Sequence, residues 1–394
     1  MKLLIPLLCF LIIPFTRAQD DNRVPIEQTT VSNIFRPRRV EATADRIGNL
    51  RVPTGFRIEI FAEGTGNPRM MEVMKDGTVY VTDRNNGRLL MLRDTDGDGK
   101  ADVKKVLLEM EHLHGIDFFR NRLYLATVKH IYTAELNSDG TLGKMIPIVS
   151  DLPDAGQHHN RTLKFGPDTM MYISIGSTCN SCEETNKEAA TMLQARPDGT
   201  GRRIYSKGLR NTIGFDWHPV THELWGWDNG TDHLGDTIGK EELNHLQYGG
   251  DYGWPFVFEK GLFDRHHDPK NMTHEEYSAK TVFPSLLYYA HGASMEFIFY
   301  TGAQFPQAYR NGAFVAMRGS WNRQQPVGYR VLFVRFDNSG KPVAAEDFMY
   351  GFLTDNNTSE FGRPVGLAQY TDGSLLVTDD VNGLIYRIIY ESKK

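Results

Sequence analysis

From residue 56 onward, apolar and polar positions alternate at period two in short runs, and hardly any run follows the 3.6-residue period of a helix. The first such run is Phe-Arg-Ile-Glu-Ile-Phe at 56–61. One unit then recurs: a turn rich in Gly, Asp or Asn, an alternating or apolar strand, a polar crossing and often a second strand. Asp76-Gly77 precedes strands at 79–82 and 88–92, Arg120-Asn121 precedes 123–127 and 130–135, and Pro167-Asp168 precedes 171–175. Thr221-His222 precedes 224–227, Asn311-Gly312 precedes 314–317 and 329–336, and Asp372-Gly373 precedes 375–378 and 384–389. These turn residues are the ones tight reversals need. Six such units predict an all-β chain folded as a six-bladed β-propeller, with one small antiparallel sheet per unit. Residues 183–193 are the best short helix candidate. The largest insertion, 244–290, carries Asp251-Tyr252-Gly253-Trp254-Pro255 and reads either as a binding surface or as a structural loop.

The ends of the chain read differently. Residues 1–18 have the form of a secretory signal: Lys2, an apolar run at 3–15, then Thr16-Arg17-Ala18. That run is too short to span a bilayer comfortably. Residues 19–49 are a polar N-terminal extension that either wraps the domain or is disordered, and 50–394 form the propeller domain. The chain is therefore expected to be secreted or periplasmic, with no membrane span after signal cleavage. Only Cys179 and Cys182 then remain, and an oxidising compartment favours a small local disulfide over a redox motif. The net charge of -5 and the absence of a basic tract argue against a nucleic-acid partner.

Candidate chemistry begins at His158-His159-Asn160-Arg161, ahead of the third unit. A neutral imidazole and a guanidinium at a strand mouth suit proton or hydride chemistry, and the same residues alone equally describe a polar loop. Gly208-Leu209-Arg210-Asn211 leads into the fourth unit, and Asp228-Asn229-Gly230-Thr231-Asp232 leaves its inner strand. Gly319-Ser320-Trp321-Asn322-Arg323 leaves the inner strand of the fifth, and Arg363-Pro364-Val365-Gly366-Leu367 leads into the sixth. In a propeller the ends of innermost strands converge near the axis, where His158, Arg161, Arg210, Arg323 and Arg363 can meet. Several arginines around one cavity fit a ligand with several carboxylates or phosphates; singly, each fits a structural ion pair as well. Asp94, Asp96, Asp98 and Asp102, with Gly97 and Gly99 between them, either fold around a structural Ca2+ or form a metal-free hairpin turn.

The ordered motifs GQHHNRTLKFGPD, SIGSTCNSCEE, GLRNTIGFDWHP, ELWGWDNGTDHLGD, DYGWP, GSWNR with GYRV, and GRPVGL resemble those of PQQ-dependent sugar dehydrogenases, the sorbosone and pyranose dehydrogenase branch most of all. The resemblance covers about residues 50–390. It implies a six-bladed propeller that carries pyrroloquinoline quinone (PQQ) and Ca2+ on one face and oxidises a sugar, with an external electron acceptor. By resemblance, His158 is the base, in the pattern His-x-x-Arg with Arg161. Arg210 and Asn211 lie near the quinone, Gly230 and Thr231 offer backbone carbonyls to the active-site calcium, and Arg363 binds a cofactor carboxylate. Arg323 takes the cationic position of the fifth blade, and His114 lies where a pocket polar residue is expected. Relatives often have His where this chain has Arg318. The alternatives are a calcium-dependent, lactonase-like hydrolase, for which only Asp228, Asn229 and Asp232 offer side-chain ligands, and a non-catalytic propeller that binds a glycan or a protein.

Overall fold

The computed structural model describes residues 32–391, apart from 155 and 265. The expected signal segment, and the part of the extension before residue 32, lie outside the described residues.

Six four-stranded antiparallel sheets follow one another along the chain. The first holds Pro68–Val73, Val79–Asp83, Arg88–Arg93 and Val103–Glu109; the second holds Gly115–Phe119, Arg122–Ala126, Ile131–Glu135 and Ile146–Val149. The third holds Thr162–Phe165, Met171–Ile175, Thr191–Ala195 and Arg203–Lys207; the fourth holds Thr212–Trp217, Leu224–Asp228, Glu241–Leu246 and Leu286–Tyr288. The fifth holds Ser294–Phe299, Ala313–Met317, Arg330–Phe336 and Pro342–Met349. The sixth joins Pro364–Gln369, Leu375–Asp379 and Leu384–Tyr390 to Phe56–Ala62 from the other end of the chain. This is an all-β organisation consistent with a β-propeller, and it accounts for the alternating run at 56–61, which pairs with the last strand.

The first strands of successive sheets lie against one another, first against second through to sixth against first. The innermost position therefore belongs to the first strand of each sheet. The strands expected to be inner, such as 171–175 and 224–227, are second in their sheets. The reason is burial: Val79–Asp83, Met171–Ile175, Leu224–Asp228, Ala313–Met317 and Leu375–Asp379 are buried at every position, because both faces of each sheet pack on a neighbour. Their apolar residues run together, broken only by Thr82, Ser174 and Thr378 and by the closing Asp83, Asp228 and Asp379, and they stand out. Four of the inner strands break the pattern with a charged residue that lines one cavity, Glu72, Asp117, Lys164 and Asp216. Asp117 Oδ2 accepts from the Phe165 amide at 2.6 Å, and Asp216 Oδ2 from the Phe299 amide at 2.8 Å, each tying one sheet to the next. At this end of the axis a cavity of about 290 Å³ is lined by Glu72, Asp117, Lys164 and Asp216.

The turns form as their residues dictate. Asp76, Asp168 and Asp372 each accept from the amide two residues on. Gly77 and Gly373 follow at φ of 84° and 88°, in the left-handed region. The helix expected at 183–193 is absent: the segment ends as the strand Thr191–Ala195, whose residues are all buried in the third sheet. The described helices are Ala44–Gly48, His274–Ser278 and a 3-10 turn at Gln307–Tyr309. No helix among the described residues is long and apolar enough to cross a membrane. The long insertion leaves after the third strand of the fourth sheet and returns as its fourth, with the Val257–Phe258 and Leu262–Phe263 hairpin inside it.

Residues 32–49 lie across the loops of the fourth, fifth and sixth sheets. Ser32 Oγ meets His233 Nδ1 at 2.9 Å, Asn33 donates to Asp236 at 3.0 Å, the Phe35 amide donates to the Trp321 carbonyl, and Arg38–Arg39 pairs with Ser359–Glu360. Of the two readings of the extension, this stretch follows the first and wraps the domain.

Candidate functional site

The loops that enter first strands and the loops that leave second strands supply the side chains of one face. His158 sits just before Thr162–Phe165, half-buried. Its Nδ1 lies 2.8 Å from Ser177 Oγ and 3.1 Å from the Ser177 carbonyl oxygen. Burial, with Arg210 adding to it, pushes the imidazole down to about 3, so it is neutral at physiological pH rather than poised near 6.5. His159 turns the other way, toward Arg84 Nη2 and the ring of His112. It borders a separate cavity of about 460 Å³ that also includes Lys129, His130 and Tyr132.

The expected meeting of Arg161, Arg210, Arg323 and Arg363 does not occur. Arg161 is fully buried. It donates to the backbone carbonyls of Val128, Pro153, Asp154 and His158, the last at 2.7 Å. It is the brace under the His158 loop and is not presented to a ligand: a guanidinium sealed from water needs acceptors, and the loop backbone provides them. Arg210 is also buried. It pairs with Asp232 at 2.9 Å and donates to the Asn180 and Asn229 carbonyls and to Asn180 Oδ1. Arg323 bonds the carbonyls of Gln325, Asp236 and Ala290 at the rim, beside residues 32–36. Arg363 donates to the Arg318 and Gly319 carbonyls at 3.0 and 2.6 Å and lies over the Tyr329 ring.

Arg363 joins a cluster whose members lie far apart along the chain. Asp380 takes Arg318 Nε at 2.8 Å and Arg69 Nη2 at 3.0 Å. Arg69 is buried, and burial, together with the charges of Arg318, Arg84 and Arg363, lowers its pKa to about 9 despite Asp380. Burial alone would raise Asp380; the arginines hold it below the usual carboxylate range. Arg69 and Arg318 thus pair with one buried carboxylate, and the charges of Arg84 and Arg363 act on it from nearby, with Glu360 at the edge. A signal for the missed members was present: Thr82-Asp83-Arg84 and Thr378-Asp379-Asp380 close the second strands of the first and sixth sheets at matching places.

His114 is fully buried beside this cluster. Its Nδ1 faces the Arg161 carbonyl at 3.1 Å, its Nε2 has no hydrogen-bond partner, and burial and Arg69 keep it neutral. Asn211 donates its amide to Asp228, and its side-chain oxygen lies beside Gly176. The Gly230 and Thr231 carbonyls accept no hydrogen bond among the described residues, and Thr231 is buried. Gly230 packs so closely on the Gly239 carbonyl that a Cβ would sit 2.1 Å from its oxygen. These free carbonyls fit a hard cation. Asp228 is otherwise engaged, by the amides of Arg210 and Asn211 and the Thr212 hydroxyl, and Asn229 donates to the Asn211 and Ser294 carbonyls. The oxygens of Asp228 and Asp232 thus already have donors, while Asn229 Oδ1 accepts no hydrogen bond among the described residues.

In the hairpin at 94–102, the carboxylates of Asp94, Asp96 and Asp98 lie within 4.8 Å of one another. Asp102 is not with them; it accepts from Thr95 instead. Asp94 accepts from the Gly97 and Gly99 amides, Asp96 from Asp98, and Asp98 from Lys100. Both readings of this loop, a structural Ca2+ site formed by Asp94, Asp96 and Asp98 or a metal-free turn, fit this geometry.

The Glucose / Sorbosone dehydrogenase family pattern matches residues 122–387. An uncharacterized protein of Borreliella burgdorferi is 32% identical over 385 residues, covering 92% of this chain and 96% of that one. A pyrroloquinoline quinone-dependent pyranose dehydrogenase of Coprinopsis cinerea is 34% identical over 128 residues, 28% of this chain and 17% of that protein. Among solved structures, a calcium structure of a Trichoderma reesei carbohydrate-active enzyme of family AA12 superposes with a TM-score of 0.77 at 20% identity, over 87% of this chain and 97% of that one. The holo PQQ domain of the Coprinopsis cinerea pyranose dehydrogenase gives 0.74 at 21%, over 86% and 97%. At these identities the superpositions speak for the fold.

Proposed function

The chain belongs to the glucose/sorbosone dehydrogenase family, and we propose from that premise that it is a PQQ- and Ca2+-dependent dehydrogenase of a sugar, passing electrons to an external acceptor. The six sheets act as six blades of one closed ring formed by residues 50–394, and the chain is exported behind its leader. The observation that carries the reading is the excess of positive charge at Arg69, Arg84, Arg318 and Arg363 over Asp380. A surplus of guanidinium with one member, Arg69, buried and three half-buried calls for an anion, and a quinone bearing several carboxylates is such an anion. The orphaned Nε2 of His114 adds a polar atom aimed at no protein partner.

Arg69, Arg318 and Arg363 would hold the carboxylates, Asn211 would meet the ring system, and the Gly230 and Thr231 carbonyls would hold the metal. When bound, the quinone supplies the hydride acceptor and the calcium polarises it. The chain's own part is to orient the sugar and to take its hydroxyl proton. His158 is neutral, so an imidazole nitrogen is free to accept that proton. Arg210, with its donors committed to Asp232 and Asn180, contributes a fixed positive field beside it. Arg318, the departure from relatives, is neutralised in place by Asp380 and acts as part of the anion cradle.

The test is reconstitution of the full chain with PQQ and Ca2+, with dye reduction measured across a panel of aldoses and pyranoses. Turnover that requires both additions is expected. Failure to bind PQQ, or binding with no turnover on any sugar, overturns the reading in favour of a non-catalytic propeller.

A further inference from the structure

The loop after the second strand of the third sheet touches both groups on the proton-handling side. Cys179 and Cys182 form a disulfide that encloses Asn180 and Ser181, as the sequence favoured. Ser177 Oγ donates to the Cys179 carbonyl at 2.7 Å. That hydroxyl proton is then committed, and both oxygens facing His158 Nδ1, Ser177 Oγ and the Ser177 carbonyl, are acceptors. Nδ1 therefore carries the imidazole proton, and Nε2 is left with the lone pair. One residue further, Asn180 is bound to the other group. Its carbonyl accepts from Arg210 Nε at 2.8 Å, and its Oδ1 accepts from Arg210 Nη2 at 2.8 Å and from the Asp232 amide at 2.9 Å. Its Nδ2 donates to the Asp232 carbonyl at 3.1 Å.

We propose that Ser177 and Asn180 are positioning residues for His158 and Arg210, and that the Cys179–Cys182 disulfide is the clasp that holds both in place. Ser177 sets the tautomer of His158, and Asn180 sets the direction of the Arg210 guanidinium. A four-residue loop without the cross-link samples many backbone states; with it, the Cys179 carbonyl and Asn180 stay where the two bonds need them. The catalytic consequence rests on the reading of His158 as the base. The tautomer itself does not depend on cofactor or sugar.

The experiment uses the cofactor-free full chain labelled with 15N-histidine. Long-range proton–nitrogen correlation distinguishes a protonated from an unprotonated ring nitrogen, and the His158 signals are identified by their loss in His158→Gln. The wild type is expected to show Nδ1 protonated and Nε2 bare. Ser177→Ala, which keeps the Ser177 carbonyl at Nδ1, is expected to admit a minor Nε2-protonated form. The double variant Cys179→Ser/Cys182→Ser, which releases the loop carrying both oxygens, is expected to move His158 to a mixture of tautomers while the other histidine signals stay in place. In reconstituted enzyme, Ser177→Ala and Asn180→Ala are expected to lower kcat about 10- to 100-fold with little change in KM, the scale of a displaced reacting group. A wild type with Nε2 protonated, or an unchanged tautomer in both variants, overturns the proposal. A double variant that keeps the wild-type tautomer and turnover removes the disulfide from it. If the reconstituted wild type oxidises no sugar, the functional reading fails, and the nitrogen spectra still decide the positioning.

Discussion

On one side of the face, Arg69, Arg84, Arg318 and Arg363 from the first, fifth and sixth sheets crowd around Asp380; on the other, Arg210 of the fourth sheet is matched by Asp232 and closed in by Asn180. The first side carries surplus positive charge, with Arg69 buried and Arg84, Arg318 and Arg363 half-buried, and under the proposed function an anion completes it. The second is balanced: its cation has a carboxylate, its donors have acceptors, and beside it stands a neutral imidazole. Under the function proposed above, the difference assigns labour: the charged side would bind the anion, and the balanced side would handle the proton. Mixing the roles would be costly, because loose positive charge next to the base would press it still further toward its bare form, and a proton acceptor among four guanidiniums would be idle.

The largest expected effect comes from breaking the balanced side. His158→Gln is expected to lower turnover about 10²- to 10⁴-fold, the usual contribution of a general base, with PQQ affinity unchanged. Equilibrium titration with PQQ beside dye-linked kinetics checks both. Loss of PQQ binding with the activity would make His158 a structural residue and erase the division. His159→Ala is the companion variant. His159 faces Arg84 and the neighbouring cavity, so its loss is expected to leave turnover near wild type.

Next comes the charged side. Arg69→Gln and Arg363→Gln are each expected to weaken PQQ binding about 10- to 100-fold, the scale of one charge-assisted hydrogen bond, while turnover at saturating PQQ is kept. Asp380→Asn sharpens the comparison: it adds to the positive surplus but frees Arg69 and Arg318 to reorient. Tighter or equal PQQ binding there, with lower thermal stability by calorimetry, fits a structural counter-ion. A collapse in turnover at saturating PQQ in any of these variants would contradict the division.

How much of this the chain declared in advance follows from where each residue sits. The second strands were legible because both of their faces are buried, which leaves runs such as Leu224-Trp225-Gly226-Trp227 without a polar side chain until Asp228 closes them. The first strands were not, because Glu72, Asp117, Lys164 and Asp216 interrupt them to face the axis. That shifted the expected inner position outward by one strand. His158, Arg210 and Arg363 stood in recognisable motifs and do lie on the candidate face. Arg161 stood in the same motif yet is consumed by backbone carbonyls, which no spacing rule distinguishes from a ligand-facing arginine. Arg69 and Asp380 were missed because their partnership joins residues far apart in sequence and exists only once the last sheet has come to lie beside the first. The 183–193 segment looked helical because its side chains are short or flexible; the third sheet, lacking a third strand, recruited its end.

The smallest effect concerns pH. An imidazole at its ordinary value near 6.5 would be mostly protonated at pH 5, and a base of that kind would lose more than about tenfold in kcat/KM between pH 7 and pH 5. His158 is held down to about 3 by burial and by Arg210, with Asp232 opposing. A lowered pKa means that the neutral form persists as pH falls, so the acid limb assigned to this residue moves below the window. The expected wild-type profile of kcat/KM, which reports the free enzyme, is therefore level from pH 7 to pH 5. Arg210→Met removes a positive neighbour and leaves Asp232 unmatched, and both changes raise the imidazole's pKa. In that variant the limb is expected to move up toward the window, so that activity falls with acid where the wild type is flat. Arg363→Gln, on the charged side, is expected to leave the limb where it was. A wild-type limb near pH 6.5, or an Arg363→Gln limb that moves as far as the Arg210→Met limb, would mean that the two sides share one field and that the labour is not divided between them.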